Sequence, residues 1–291
     1  MRTVEQPTRA EVERAVRLPP TPLVDSDGFS LKLETLQPTG SFKVRGAANA
    51  LARAGGPVVT ASAGNFGLAL AWAAGRAGVE ATVVVAESAS PEKIAKLRRL
   101  PVDLVVHGAD YDEAERHALS LPGRYVSPYN DTDVIAGNGT LALELPEAEC
   151  IVVPIGGGGL AAGIRLATDA RIVGVVPAAF PAMRVALEAG RVVEIEGGRT
   201  LADALHGNIE PGSVTVDLLR GTEVVEVTET ELEQALRFLA REHGLVTEGA
   251  GAAATAAVLA GKAPRGSVAI VSGRNVAAQT FADVLQRGAG G

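Results

Sequence analysis

Residues 151–160 carry the run Ile151-Val152-Val153-Pro154-Ile155-Gly156-Gly157-Gly158-Gly159-Leu160. The apolar half predicts a buried strand, and the four glycines lead into a helix-like segment. Bare glycine amides at a helix start can closely approach an anion, although a flexible turn is the alternative interpretation. Neither a dinucleotide-binding Gly-x-Gly-x-x-Gly with a downstream acid nor a Gly-Lys-Ser/Thr follows the run. The sequence therefore favours a single phosphate group over a dinucleotide or a nucleoside triphosphate.

Apolar strand-like runs alternate with helix-length segments through nearly the whole chain, which is typical of parallel α/β sheets. Four predicted strands fall in the first half, at residues 57–61, 81–85, 103–106 and 124–127. Four more fall in the second half, at residues 151–155, 171–176, 223–227 and 267–271. We also predict helices at 133–145, from the capping box Thr228-x-x-Glu231 to His243, and at 250–260. The fold class is thus α/β with mostly parallel sheets.

Composition excludes several classes of function. The net charge is −7 and no block of five or six basic residues occurs, so nucleic acid is an unexpected partner. No run of 18 apolar residues and no apolar leader is found, which predicts a cytoplasmic protein without a membrane span. The single cysteine, Cys150, is interpreted as a small buried hydrophobe. The four histidines lack metal-ligand spacing, so we expect no metal site.

Three further segments carry chemistry. Lys43 lies in Gln37-Pro38-Thr39-Gly40-Ser41-Phe42-Lys43-Val44-Arg45-Gly46-Ala47, where an aromatic and small residues surround an amine. Such an amine could hold an aldehyde cofactor as a Schiff base, whereas alone it would be interpreted as a surface cation. A polar turn, Ser62-Ala63-Gly64-Asn65, follows one predicted strand, and Ser272-Gly273-Arg274-Asn275 follows the last one. The order and spacing of these segments are more specific than any one of them.

These motifs together resemble the threonine and serine dehydratase group of pyridoxal-phosphate enzymes. This is the branch of the tryptophan-synthase-like, fold type II family that also contains serine racemase. The resemblance extends from about Thr21 to Asn275. It implies two α/β domains with pyridoxal 5'-phosphate in the cleft between them. The large domain would comprise residues 1–40 and 131–291, the small inserted domain residues 41–130, and the protein would be a homodimer.

The resemblance also implies roles for individual residues. Lys43 would form the Schiff base and then act as the base on the substrate Cα. The implied cofactor-binding residues are Phe42, Lys43, Asn65, Gly156, Gly157, Gly158, Gly159 and Ser272. The implied substrate-binding residues are Ser62, Ala63, Gly64 and Asn65, with Tyr129 and His206 as candidates for lining the pocket. Glu248 matches a family glutamate near the cofactor, although it could equally be the acid at the start of the alanine-rich helix.

The chain departs from the family at several positions. Ala63 stands where racemases of this branch carry a serine that acts as the second acid-base group, which disfavours racemisation. Val176-Pro177 replaces a Glu-Pro, and Phe180-Pro181-Ala182 lacks a following acid, so the family's cation site should be absent. Phe66, Arg274 and Ala204 replace a frequent histidine and two glycines. The short stretch after Ser272 leaves no expected place for a regulatory domain.

The function implied by the resemblance is an ammonia-lyase that acts on a β-hydroxy amino acid such as L-threonine or L-serine. Two enzymatic alternatives stay open, namely β-replacement and elimination from another amino acid such as hydroxyaspartate. Arg45-Gly46 after Lys43 favours the dehydratase branch over the β-replacing synthases, which usually have an aspartate before the arginine. A pyridoxal-phosphate-binding protein without turnover is the third alternative.

Overall fold

The computed structural model describes residues 4–287. Its strands are β1 Leu23–Asp25, β2 Ser30–Leu33, β3 Val58–Ala61, β4 Ala81–Val85, β5 Asp103–Val106, β6 Arg124–Tyr125, β7 Cys150–Pro154, β8 Arg171–Pro177, β9 Glu223–Val227 and β10 Val268–Val271. Its helices are α1 Arg9–Arg14, α2 Lys43–Ala52, α3 Asn65–Ala77, α4 Pro91–Leu97, α5 Tyr111–Ser120, α6 Thr132–Gly139, α7 Gly159–Ala167, α8 Ala182–Ala189, α9 Val214–Leu218, α10 Glu229–His243, α11 Gly249–Leu259 and α12 Ala278–Arg287. Short 3₁₀ helices lie at Glu34–Leu36, Ala142–Glu144 and Asp203–Leu205.

The strands form two sheets. The larger sheet has the order β1-β2-β10-β7-β8-β9, and only its β1–β2 pair is antiparallel. The smaller sheet has the order β5-β4-β3-β6, and all its pairs are parallel. The predicted α/β class with mostly parallel sheets is therefore confirmed. The strands of the smaller sheet lie within residues 41–130, but the domain boundaries themselves stay a prediction.

The core is built from small aliphatic residues. All five residues of β7 are buried, including Cys150, and burial raises the pKa of its thiol. Helix α11 is buried on nearly every side, because its Gly249-Ala250-Gly251-Ala252-Ala253-Ala254 start lets it pack closely between neighbours. Among residues 4–287, no helix combines the length and apolar character that a membrane crossing requires.

Helices α2 and α6 cross at glycines. A Cβ atom on Gly46 would lie 2.7 Å from the carbonyl oxygen of Val134, and one on Gly137 would lie 2.5 Å from that of Arg45. The backbone amide of Gly46 also donates to Asn138 Oδ1 at 3.1 Å. Glycine is therefore required on both helices for this close approach.

The single predicted helix at 133–145 was wrong. Helix α6 ends at Gly139, and a separate 3₁₀ helix follows at Ala142–Glu144. A Cβ atom on Gly139 would lie 2.5 Å from the carbonyl oxygen of Gly163, so α6 packs against α7 at this point. The hydroxyl of Thr140 donates to the carbonyl of Gly137 at 2.7 Å, which competes with regular helical bonding.

A buried charged network anchors α2 to the larger sheet. Arg45, with 0% exposure, donates to Glu34 at 2.7 and 2.8 Å and to Glu144 at 2.5 and 2.9 Å. Lys32, with 1% exposure, donates to Glu144 at 2.6 Å. Two cations thus meet two carboxylates, and these bonds offset the cost of burying each charge. Because Arg45 is two residues from Lys43, the network also fixes the start of α2.

Candidate active site

The predicted site residues lie at the carboxyl ends of strands from both sheets. The turn at 62–65 follows β3, residues 127–130 follow β6, the glycine run follows β7, and Ser272 follows β10. This is where ligands bind in open α/β sheets. Asn275 Nδ2 donates to Asn65 Oδ1 at 2.6 Å, and this bond joins the two sets of loops.

Lys43 begins helix α2, and its amine lies in an apolar environment. Its Nζ donates to the carbonyl oxygen of Pro128 at 2.8 Å. The same atom lies 5.2 Å from the ring centre of Phe42 and 5.8 Å from that of Phe66. Burial lowers the pKa of Lys43 to about 8, although the negative charge of Glu248 acts in the opposite direction. The neutral amine that a nucleophile or base requires is therefore accessible near neutral pH.

The backbone of Phe42 places Lys43 beside the end of β10. The amide of Phe42 donates to the carbonyl oxygen of Ser272 at 3.1 Å, and Ser41 forms an isolated bridge with Gly273. The Ser272 side chain is 4% exposed, and its hydroxyl lies at 3.4 Å from the carbonyl oxygen of Ala250. Since that contact is long, the hydroxyl can bond to another group.

The tetraglycine run forms a loop of free backbone donors. Gly158 has φ +91° and caps α7, which begins at Gly159. Within residues 4–287, the amides of Gly156 to Gly159 donate to no backbone or side-chain acceptor. Four free N–H groups at the positive end of a helix fit a phosphate group.

Tyr129 packs directly against this run. A Cβ atom on Gly157 would overlap the Tyr129 ring, and one on Gly159 would lie 2.7 Å from the Tyr129 carbonyl oxygen. Pro128 and Tyr129 therefore link the amine of Lys43 to the glycine loop. The Tyr129 hydroxyl accepts a hydrogen bond from the amide of Glu210 at 2.7 Å. Burial and the charge of Glu210 raise the pKa of Tyr129, so its hydroxyl stays protonated.

The turn after β3 offers a second set of donors. The amide of Gly64 donates to Ser62 Oγ at 3.3 Å, and Asn65 begins α3. In the described chain, the amides of Ala63 and Asn65 have no acceptor. These free N–H groups at the start of a 13-residue helix are suited to a substrate carboxylate.

Glu248 lies at the N-terminus of α11 and is 5% exposed. Asn65 Nδ2 donates to its Oε1 at 2.7 Å. Burial, assisted by the charge of Asp203, raises the pKa of Glu248 to about 7, whereas Asn65, Lys93 and Lys43 act to lower it. Its carboxylate accepts no capping bond from its own helix. The carboxylate of Glu248 thus bonds to the turn after β3, and its role beside the cofactor stays a prediction.

His206 is separate from these groups. Its side chain is exposed, and its ring packs on Phe180 with 4.2 Å between ring centres. Across residues 4–287, the structure gives His206 no side-chain hydrogen bond with another predicted site residue. Its role in the pocket stays a prediction. Arg274 is exposed and lies over Gly40.

Sequence reasoning missed the supports of the pocket. Pro128 supplies the acceptor for Lys43, and Asn130 joins Tyr129 to the next loop. Asn130 Nδ2 donates to the Glu210 carboxylate, and its Oδ1 accepts from the amide of Val214 at 3.1 Å. The polar run Ser127-Pro128-Tyr129-Asn130 at the end of a strand was the available signal. Within residues 4–287, no group of three or more His, Cys, Asp or Glu side chains could hold a metal ion.

Comparison with known proteins agrees with this geometry. Residues 16–273 match the family model described as pyridoxal-phosphate dependent enzyme. The chain belongs to this family. The L-threonine ammonia-lyase of Thermotoga maritima is 39% identical over 280 residues, which cover 89% of this chain and 70% of the relative. The pyridoxal-phosphate family and this relative show an enzyme of the threonine and serine dehydratase group.

Solved structures of the family have the same fold. A threonine deaminase, from an organism abbreviated T.th., is 32% identical with a TM-score of 0.82, and the match covers 93% of this chain and 99% of that one. The processed threonine deaminase isoform 2 of Solanum lycopersicum is 26% identical with a TM-score of 0.87, covering 99% and 97%. The predicted fold type II architecture is therefore confirmed.

The residues present fit pyridoxal 5'-phosphate. The free amides of Gly156 to Gly159 suit its phosphate, and the Lys43 amine with its lowered pKa suits its aldehyde. The hydroxyl of Ser272, whose protein contact is long, suits its ring nitrogen. Each reactive feature of this cofactor thus has a matching group in the site.

Proposed function

We propose that this enzyme is an ammonia-lyase that eliminates water from a β-hydroxy amino acid, L-threonine or L-serine. The enamine that it releases then takes up water and hydrolyses to a 2-oxo acid and ammonia. The observation that carries the proposal is the Lys43 amine, whose pKa is lowered to about 8 in a pocket that Tyr129 links to four free glycine amides. The relatives named as threonine ammonia-lyase and threonine deaminase support the same reaction class.

Pyridoxal phosphate supplies an electron sink for the pair left on the substrate Cα when its proton is removed. Lys43 has two tasks here. Its neutral amine would hold the aldehyde of the cofactor, and the same amine would take the proton from the substrate Cα. Burial of the amine disfavours its ammonium form.

The loops around Lys43 bind and orient. The amides of Gly156 to Gly159 hold the phosphate, and the turn at 62–65 holds the substrate carboxylate through its free amides. Holding the carboxylate there fixes which bond of Cα faces the Lys43 amine. Tyr129 and His206 would line the side-chain pocket.

Two residues direct the reaction towards elimination. Ser272 is a hydroxyl, which cannot keep the ring nitrogen protonated as a carboxylate would, so a long-lived carbanion and transamination are disfavoured. Ala63 cannot deliver a proton to the far face of Cα, so racemisation is disfavoured. Loss of the β-hydroxyl as water needs neither a protonated ring nitrogen nor a proton donor on the far face of Cα.

The test is a coupled assay for 2-oxo acid and ammonia with L-threonine, L-serine and hydroxyaspartate, with the Lys43→Ala variant as control. We expect turnover with threonine or serine, and a loss of more than about 1,000-fold in kcat in Lys43→Ala. A thiol amino acid that forms when sulfide is added, without 2-oxo acid or ammonia, would instead show β-replacement. Cofactor binding without any turnover would identify a silent homologue.

The homodimeric state and the cytoplasmic location belong to the same proposal. The dimer is the habit of the resembled family, whereas the cytoplasmic location is the prediction made from the sequence. Light scattering of the purified protein would report the mass of the assembly and would contradict the dimer by giving that of a monomer or a tetramer.

A further inference from the structure

Four polar groups near Lys43 form one hydrogen-bonded chain. Asn275 Nδ2 donates to the carbonyl oxygen of Thr39 at 2.8 Å and to Asn65 Oδ1 at 2.6 Å. Asn65 Nδ2 then donates to Glu248 Oε1 at 2.7 Å. These hydrogen bonds join the loop before Lys43, the turn after β10, the start of α3 and the start of α11.

The direction of these hydrogen bonds is determined from the Thr39 end. The Thr39 carbonyl can only accept, so Asn275 must turn its NH₂ group towards it. The second proton of the same NH₂ group then requires an acceptor, which is Asn65 Oδ1. Because Asn65 Oδ1 is thereby bonded to Asn275, the NH₂ group of Asn65 lies towards Glu248, whose Oε1 accepts from it at 2.7 Å. The Asn65 amide therefore cannot flip without losing both of its bonds.

One donor is left over. Asn65 Nδ2 carries two protons, Glu248 accepts one, and no group within residues 4–287 accepts the other. We propose that Glu248 and Asn275 are positioning residues, which hold the Asn65 amide so that this second proton is offered to the ring hydroxyl oxygen of the cofactor. The inference rests on the proposed function and on the family resemblance, which implies that Asn65 is a cofactor-binding residue.

These bonds exclude the flipped orientation of the Asn65 side-chain amide, which would weaken cofactor binding. A flipped Asn65 would present its carbonyl oxygen to the cofactor oxygen, and two acceptors would face each other. The held orientation instead presents an N–H, and a hydrogen bond to a charged oxygen is stronger than one between neutral groups. Glu248 thereby acts through Asn65 and does not need to touch the substrate.

A double-mutant cycle tests this. The readouts are the dissociation constant of pyridoxal phosphate, from equilibrium dialysis, and the visible absorbance of the bound cofactor. We expect Glu248→Ala and Asn275→Asp each to raise the dissociation constant about tenfold, because a lost bond to a charged group costs about that factor. In an Asn65→Ala background, Glu248→Ala should change it less than about twofold, because the two residues act through one contact.

Glu248→Gln is the conservative variant. Its side-chain oxygen can still accept from Asn65, so we expect a dissociation constant within about threefold of the wild type. Gln279→Ala is the matched control, since it removes an exposed amide whose hydrogen bond within residues 4–287 is made to Asp283 of the same helix. It should leave both readouts unchanged.

Two outcomes would overturn the proposal. An equal loss from Glu248→Ala with and without Asn65 would mean that Glu248 acts by its charge or through the fold. Glu248→Gln as weak as Glu248→Ala would mean the same. If circular dichroism shows that Glu248→Ala does not fold, a cycle that combines Asn275→Asp with Asn65→Ala makes the same test. Cofactor binding needs no turnover. A wild-type protein that binds pyridoxal phosphate but releases no 2-oxo acid would refute the proposed lyase activity, while the same binding measurements would still test the positioning of Asn65.

Discussion

The chemistry of the site depends on the charge of one amine. The Lys43 amine lies 5.2 Å from the ring centre of Phe42 and 5.8 Å from that of Phe66, and it donates to an uncharged acceptor, the Pro128 carbonyl. The cost of burying its charge exceeds the attraction of Glu248, so its pKa falls to about 8. At pH 7 roughly one amine in ten is then neutral, against fewer than about one in a thousand for an ordinary lysine. Phe66, in place of the family's frequent histidine, contributes one of the two apolar walls.

Cofactor attachment should therefore follow the titration of Lys43. On mixing cofactor-free protein with pyridoxal phosphate, we expect the rate at which visible absorbance appears to rise with pH, with a midpoint near 8, since only the neutral amine attacks the aldehyde. In Glu248→Gln the midpoint should move down, because the negative charge that raises the pKa of Lys43 is removed. A midpoint near that of an ordinary lysine in both proteins would refute the apolar site for the amine. Stopped-flow absorbance makes the measurement.

Helix α2 carries Lys43, and its place is set by contacts along its length. Arg45 binds Glu34 and Glu144 at its start, while Gly46 allows α6 to approach closely. The Ser-Phe-Lys-x-Arg-Gly-Ala motif thus combines one residue with a chemical role, Lys43, and two residues that position the helix, Arg45 and Gly46. A shift of α2 would move the amine away from Pro128.

Gly46→Ala should separate these helices. The added Cβ would meet backbone at 2.7 Å, which cannot move as a side chain can, so we expect a loss of about 2 kcal/mol in the free energy of unfolding. The gain in helix propensity, under about 1 kcal/mol, does not offset it. Gly56→Ala is the control, because nothing lies within 4 Å of its Cβ, and it should change stability by less than about 0.5 kcal/mol. Urea unfolding measures both, and equal effects would contradict the packing argument.

The site as a whole takes residues from the loops of both sheets. The amide of Phe42, next to Lys43, bonds to Ser272 beside β10. Tyr129 follows the smaller sheet and packs on Gly157 of the larger one, and Asn65 is hydrogen-bonded to Asn275. A ligand that contacts all of these is bound by the folded chain and not by the unfolded one. Its binding energy therefore adds to the stability of the entire molecule.

Pyridoxal phosphate at about 100 times its dissociation constant should raise the midpoint of thermal unfolding by about 4 °C, from about 2.7 kcal/mol of linkage. Pyridoxal without the phosphate, at the same concentration, should give less than half of that shift, because the amides of Gly156 to Gly159 stay unpaired. Differential scanning calorimetry measures both ligands. Equal shifts would show that the glycine loop does not hold the phosphate.

The local sequence pattern was sufficient to predict the α/β architecture and to identify the candidate reactive residues. The alternation of apolar runs with helical segments predicted a parallel α/β fold. Such a prediction is possible because the spacing of apolar residues within one short segment distinguishes a strand from a helix. Lys43 and the glycine run were found in the same way, since each motif is contiguous. The short strands β1 and β2 escaped this reasoning, as did the break between α6 and Ala142–Glu144.

The environment of those residues was decided by the tertiary structure. Pro128 lies 85 residues from Lys43, and Glu248 lies 183 residues from Asn65, yet each pair is hydrogen-bonded. No local pattern encodes such pairs, because they depend on how the two sheets place their loops. The lowered pKa of Lys43 and the raised pKa of Glu248 arise from burial and neighbouring charge, and both exist only once the chain has folded.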